Sequence, residues 1–244
     1  NVKILNNDSG SLKVISEIKQ LNIFISQKNF FNKDKLKIRK ISINEANFYV
    51  QKKDFNFFDN LLKKKFSQKK IDIKNSKIFY KDKYNEIILI TKILDIGLLY
   101  AKEENSNQVF FKGQVFNIPF YLKLTKNFLN KKNKIFFNSK ELKIEINNEL
   151  NKLDETFYGI NEILILKNRF VSEYKFENDT LNFRSNKTQM INNKIEYNGR
   201  INFKPFDFAF FVDLDKLRLT DLFAVDSIIF EFLRNNKLYN NNLG

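Results

Sequence analysis

The residues suited to reactive chemistry are few, and their spacing argues against a catalytic centre. The 244 residues include no His and no Cys. That removes Ser-His and Cys-His nucleophile pairs, imidazole metal ligation, thiolate chemistry and disulfides. The glycines are isolated, so no phosphate-cradling loop is written. Carboxylates pair at Glu103-Glu104 and at Asp213 and Asp215. Adjacent strand residues point to opposite faces, so the first pair does not converge. Asp213 and Asp215 share a face and could offer oxygens to a hard cation, but beside Lys216 they read as a solvated strand end. We expect a non-enzymatic protein with no catalytic residue, metal or cofactor.

Composition narrows the class. Apolar residues make up 43 % of the chain and Phe alone supplies 28 positions, whereas Gly (6) and Pro (2) are scarce. This is core-forming material, not a disordered or Pro-rich linker. Lys, Asn, Ile and Phe dominate, all favoured by AT-rich codons, which supplies part of the net charge of +15. The lysines are scattered apart from Lys63-Lys64-Lys65 and Lys69-Lys70, and read as a solvated basic surface. Aromatics interleave with lysines, as in "RINFKPFDF", but the glycine-containing signature of sheet-type RNA readers is absent. No nucleic-acid partner is expected. No apolar run reaches the roughly 18 residues of a membrane helix.

Most of the chain alternates with period two, in segments rich in β-branched and aromatic residues, which predicts strands. Short polar breaks leave no room for crossover helices, so the pairing is expected to be antiparallel. Candidate turns lie near Asn198-Gly199 and Lys204-Pro205. Two segments break the alternation. In "DFNFFDNLLKKKF", Asp54 is a candidate N-cap before Phe58, Leu61, Leu62 and Phe66 at helical spacing, which predicts a helix near 54–66. A second helix is predicted near 227–238, with Ile228, Ile229, Phe232 and Leu233 as its apolar stripe. "TKNFLNKKNK" (125–134) is the best candidate for a joint between residues 1–125 and 126–244, within what reads as one continuous domain.

The chain also repeats itself. In "ISINEANFYV" and "IDIKNSKIFY", Ile41, Ile43, Phe48 and Val50 fall on Ile71, Ile73, Ile78 and Tyr80, 30 residues on. Such an offset marks a unit stacked on its neighbours. A weaker third copy is read at Ile163, Ile165 and Phe170, with Ser172 in the final apolar place. "EIILITKILDIGLLY" and "VFNIPFYLKL" read as apolar on both faces. A strand of that kind needs two covers, the chain's own core on one side and either further protein or an apolar ligand on the other.

The phrase formed by Ile71, Ile73, Asn75, Ser76, Ile78, Tyr80 and Asp82 resembles a strand-turn-strand phrase of the AsmA-like proteins, relatives of AsmA and TamB in the Gram-negative envelope. So does the segment with Gly113, Val115, Ile118, Pro119 and Phe120, and the ending in which a hairpin leads to a terminal helix. The resemblance implies a curved antiparallel sheet forming an elongated, repeat-built hydrophobic groove with two or so short amphipathic helices. It implies a periplasmic protein, held at the inner membrane by residues outside this chain, that conducts phospholipid acyl chains between the membranes. Phospholipid is then the expected ligand, and outer-membrane assembly proteins are candidate partners. The lining expected is Ile73, Ile78, Tyr80, Ile88, Ile90, Phe116, Ile118, Phe120 and Leu122. The rival readings are a periplasmic scaffold for outer-membrane protein biogenesis with no lipid in its core, and a transmembrane β-barrel, against which the helical segments weigh.

Overall fold

The computed structural model describes residues 2–8, 11–26, 37–54, 60, 62–153, 155–166, 168–186, 188–190 and 193–213. The protein is mainly β, and its chain divides into two units, Asn1–Asn127 and Phe128–Gly244. Unit one holds β1 (Val2–Asp8), β2 (Ser11–Ile25), β3 (Ile38–Gln51), β4 (Ile71–Lys81), β5 (Ile87–Ala101), β6 (Ser106–Val115) and β7 (Ile118–Asn127), neighbouring one another in that order. Unit two holds β8 (Lys132–Ser139), β9 (Ile144–Leu153), β10 (Thr156–Ile165), β11 (Asn168–Glu177), β12 (Thr180–Ser185), β15 (Glu196–Phe203) and β16 (Phe206–Asp213) in the same manner. The short β13 (Gln189–Met190) pairs with β11 and with β14 (Asn193–Lys194).

Among the described pairings within the two units, all are antiparallel except one, and that one is the repeat. β3 and β4 run parallel in a register that sets Ile41 beside Ile71, Ile43 beside Ile73, Phe48 beside Ile78 and Val50 beside Tyr80. The duplicated phrase is thus two equivalent strands laid side by side with no slip. The polar step in each copy is a kink within a strand, not a turn between two: Glu45 (φ 52) and Asn75 (φ 47) both take the left-handed conformation at equivalent places. Asn is among the few residues that tolerate it readily. Ser76 ties the two kinks together. Its Oγ accepts from the Ala46 N–H at 2.9 Å and donates to the Lys74 carbonyl at 2.7 Å, so an amide interrupted by the kink stays paired although it is buried.

A parallel pair demands a long crossover, here residues 52–70. The predicted helix near 54–66 falls partly outside the described residues, as do Phe58 and Leu61. The described ones are a 3-10 turn at Lys52–Asp54 and helical residues at 60, 62 and 63. Asp54 closes that turn: its Oδ2 accepts from the Gln51 N–H at 2.7 Å, and the residues that would follow it as a helix N-cap lie outside the described ones. The far end of the crossover is clamped by the buried Asn107, which donates to the carbonyls of Leu62 (3.4 Å) and Lys64 (2.7 Å) and accepts from the Phe66 N–H (2.8 Å). Asn107→Ala is expected to cost about 2 kcal/mol, since three backbone groups lose one partner. Amide exchange at Phe66 should accelerate by at least about tenfold, while exchange in β10 and β11 stays unchanged.

Unit two is a meander of hairpins. The third repeat copy does not exist as a strand: Ile163 and Ile165 lie on β10, Phe170 lies on β11, and Ile163 faces Phe170 across the hairpin. Leu166 (φ 58) forms the turn between them. Of the two candidate turns, Lys204-Pro205 connects β15 to β16, whereas Asn198-Gly199 lies inside β15. The helix predicted near 227–238 and Asp215 lie outside the described residues.

Candidate functional site

Directly paired residues share a sheet face, so the registers of unit one sort its side chains. One face carries the row Ile23, Ile41, Ile71, Leu98, Val109 and Leu124, then the row Leu21, Ile43, Ile73, Ile96, Phe111 and Leu122. Next comes the row through the kinks: Ile18, Ala46, Ser76, Ile93, Gly113 and Phe120. The row beyond holds Ser16, Phe48, Ile78, Thr91, Val115 and Ile118. Between β3 and β7 these rows hold no charged side chain. The kink row is closed, with Ala46 at 0 %, Ile93 at 1 % and Ile18 at 2 % exposure, whereas most of the flanking apolar residues are half-buried and Ile23 is 52 % exposed.

Why the sequence hid this face is visible in two places. β5 bulges between Ile93 and Asp95, so Ile93 pairs with Gly113 and Ile96 with Phe111, both on the apolar face. Counted without the bulge, the strand looks apolar on both sides; with it, the other side carries Lys92, Asp95 and Gly97. The expectation of doubly apolar strands is therefore narrowed: one face is continuously apolar, and the other mixes Ile90 and Leu99 with Lys92, Asp95 and Gly97. Secondly, the two-residue turn at Phe116 (φ 50) and Asn117 (φ 62) joins Val115 to Ile118. Both residues are left-handed, as a tight hairpin with matching twist requires. The turn exchanges parity, so Val109, Phe111 and Val115 accompany Ile118, Phe120 and Leu122, while Phe110, Lys112 and Gln114 share the other face with Tyr121.

Of the nine residues expected to line a groove, Ile73, Ile78, Tyr80, Ile118, Phe120 and Leu122 lie together on this face. Ile90 does not: it pairs with Phe79, which alternates away from Ile78 and Tyr80. The bulge between Tyr80 and Lys81 leaves Ile88 opposite no residue of β4, and it is 57 % exposed. Phe116 sits in the turn at 54 % exposure. Ile96, Leu98, Val109 and Phe111 were missed, because the bulge in β5 and the turn at Phe116-Asn117 change parity with no residue that signals it.

The opposite face of unit one carries its charged residues, mixed with Tyr49, Phe79, Ile90, Leu99, Phe110 and Tyr121. At its centre Asp72, 2 % exposed, meets the ammonium groups of Lys40 (2.6 Å) and Lys70 (2.8 Å). Burial pushes the Asp72 carboxyl up, but contacts with the two lysines outweigh it and hold it below the usual carboxylate value. Unit two repeats the division. Phe137, Ile146, Ile163 and Phe170 form one row of its apolar face, and Phe157, Phe176, Leu181, Ile201 and Phe208 another. A polar seam lies between them. Tyr174 donates to the Asn148 Oδ1 at 3.0 Å, Asn148 donates to Asn161 at 3.5 Å, and Ser172 meets the Tyr197 hydroxyl at 2.7 Å. The back of this sheet is laced with ion pairs: Lys134–Glu149, Arg169–Glu162, Arg184–Glu173 and Lys175–Glu177.

Among the described residues, no three His, Cys, Asp or Glu side chains gather as a metal site, and no helix is long and apolar enough to cross a membrane. No protein-family model, curated protein or solved structure matches the chain. What the geometry defines is an amphiphilic β-sheet protein whose distinctive surface in each unit is one broad apolar face.

Proposed function

We propose that the protein is a non-enzymatic lipid-binding module of a Gram-negative envelope, similar to the AsmA-like proteins. In this reading the apolar face lines a groove along which phospholipid acyl chains pass between the two membranes. The observation that supports it is the run of largely apolar rows from β3 to β7, with no charge in them and with half-buried rows on both sides of a closed one, on a sheet whose reverse carries the lysines and Asp72. A solvated protein gains nothing from leaving such a surface partly open unless something apolar lies on it. An acyl chain would contribute roughly 0.8 kcal/mol per methylene buried there. The repeat fits the same picture, because parallel stacking of equivalent strands extends a face without changing its character.

Leu122 and Lys123 are chain neighbours on opposite faces, which makes them a matched pair for testing. A photo-crosslinking residue at Leu122 is expected to capture phospholipid in the envelope, with yield at least about fivefold above that from Lys123. Equal yields from the two positions would reject the apolar face as the lipid path. A scaffold without lipid predicts instead that gently purified protein carries no phospholipid by mass spectrometry and that Leu122 crosslinks only to protein.

A further inference from the structure

The polar face of unit one differs from that of unit two in a way the fold does not require. Lys77 of β4 stands directly opposite Lys92 of β5, a like-charge pair that costs stability in a sheet. Lys74 and Lys112 flank them on the next row, each paired across the strands with the half-buried Asp95. All four lysines are exposed. Among the described residues none of the four forms an ion pair, and Lys92 only donates to the turn residue Asn117 at 3.0 Å. In unit two, basic side chains at comparable places are matched by carboxylates. On the same face of unit one Lys40 and Lys70 are matched by Asp72 and Lys3 by Glu17, so the excess positive charge is local to these four lysines.

We propose that this lysine face of unit one docks on an anionic phospholipid surface. Three features select that partner. The charges form a two-dimensional patch over three strands, suited to a plane of phosphates and not to a single bound ion. All are lysines, point charges without the bidentate fork that reads a carboxylate or a base edge. The adjoining row on the same face is Tyr49, Phe79 and Ile90, an amphipathic rim of the kind that settles at headgroup level. Tyr49 stacks on Phe79 with ring centroids 5.5 Å apart, and the Lys81 ammonium lies over the Tyr49 ring at 5.0 Å, so Tyr49 is already engaged and the pair makes a poor platform for nucleotide bases. The inference concerns the reverse of the apolar face and does not rest on the acyl-chain reading.

The test is cosedimentation of the full chain with phosphatidylglycerol-containing vesicles and with phosphatidylcholine vesicles, at low and high salt. Binding to the anionic vesicles alone, weakened by salt, is expected. Lys74→Gln/Lys77→Gln/Lys92→Gln/Lys112→Gln should lose roughly 600-fold in affinity, at about fivefold per lysine near an anionic surface. A Lys77→Gln/Lys92→Gln variant, which keeps the lysines beside Asp95, should melt at or above the parent, because repulsion between Lys77 and Lys92 is gone. A control with the same loss of charge as the quadruple variant, Lys83→Gln/Lys131→Gln/Lys132→Gln/Lys140→Gln, should keep most of the binding. Equal losses in both quadruple variants, no vesicle binding by the parent, or preference for a single-stranded oligonucleotide over the vesicles would each overturn the proposal. So would a patch variant that binds like the parent. Crosslinking at Leu122 in detergent-solubilised lipid stays intact in the patch variant, which keeps failure here distinct from failure of the groove.

Discussion

Replacing Gly159 by alanine is expected to lower the melting temperature of the protein by about 10 °C or more, a larger effect than any other single methyl group should produce. Gly159 lies on β10 between Leu150 of β9 and Tyr174 of β11. A Cβ built there would stand 1.9 Å from the Glu149 carbonyl oxygen and 2.8 Å from the Tyr174 hydroxyl. The tyrosine can turn away at the cost of its bond to Asn148. The carbonyl cannot, because it belongs to the neighbouring strand, and moving it means parting β9 from β10. Inserting atoms into packed sites costs typically about 1–3 kcal/mol, and a clash with backbone belongs at or above the top of that range. For a unit of this size each kcal/mol is worth roughly 4 °C. Gly97→Ala is the control. There the new Cβ would meet the Lys70 Cε at 2.9 Å, the flexible end of a side chain, and the expected loss is below about 1 kcal/mol. Thermal melting of the two variants side by side checks the argument. A Gly159→Ala protein that melts with the parent would mean that the β9–β10 spacing is wrong.

The same glycines show how much of this fold was written legibly. Period-two patterning announced the strands because it is a direct consequence of the pleat, and it survived in β3, β4 and β9–β12. The 30-residue repeat was legible as well, down to the register between Ile41 and Ile71. Its geometric meaning was not. Two copies of one strand can lie parallel or antiparallel, and what decides between them is the crossover, whose apolar residues read as a helix but whose described residues keep only short helical stretches. The assignment of faces failed wherever a local backbone event changed parity. A bulge at Leu94, another at Ile88 and a two-residue turn at Phe116-Asn117 each shift the alternation by one, and none carries a glycine or proline to announce it. Hence Ile73, Ile78 and Tyr80, which have no such event on their own side of the kink, were grouped correctly, whereas Ile88, Ile90 and Phe116 were not. Gly113 and Gly199 were readable only in retrospect. They lie in strands under aromatic rings, Gly113 beneath Phe111 and Phe120 and Gly199 beneath Phe183, where the ring supplies the cover that glycine lacks. Buried Ser76 and Asn107 gave no signal either, since what they do depends on a neighbouring backbone that sequence distance conceals.

Asp72→Asn should destabilise unit one by about 1–3 kcal/mol at neutral pH, and the deficit should vanish in acid. The carboxylate is enclosed by Ser42, Gly97 and the stems of two lysines, and it is the one nearly inaccessible charge among the described residues of the sheet. Removing one partner of a buried ion pair is costly when the remaining charge is trapped. Here the side chains of Lys40 and Lys70 are 42 % and 50 % exposed, so their ammonium groups regain water and the loss falls below that of a wholly buried pair. Linkage sets the pH dependence. The folded-state value of Asp72 lies below its ordinary one of 3.8, so ionisation favours the folded state. Its contribution is complete above the ordinary value and disappears as pH falls through the lower folded one. Lys70 is raised, first by its bond to Asp72, and its share is complete below the ordinary lysine value of 10.5 and lost as pH climbs through the higher folded one. The asparagine variant has neither dependence at this site. Urea denaturation of parent and variant from neutral pH down to about 3, in steps fine enough to resolve the carboxylate range, should therefore give two curves that converge. Curves that stay parallel throughout would show that Asp72 supports the sheet through its shape and not through its charge. In that case the two lysines beside it would join the unpaired positive surface instead of being set apart from it.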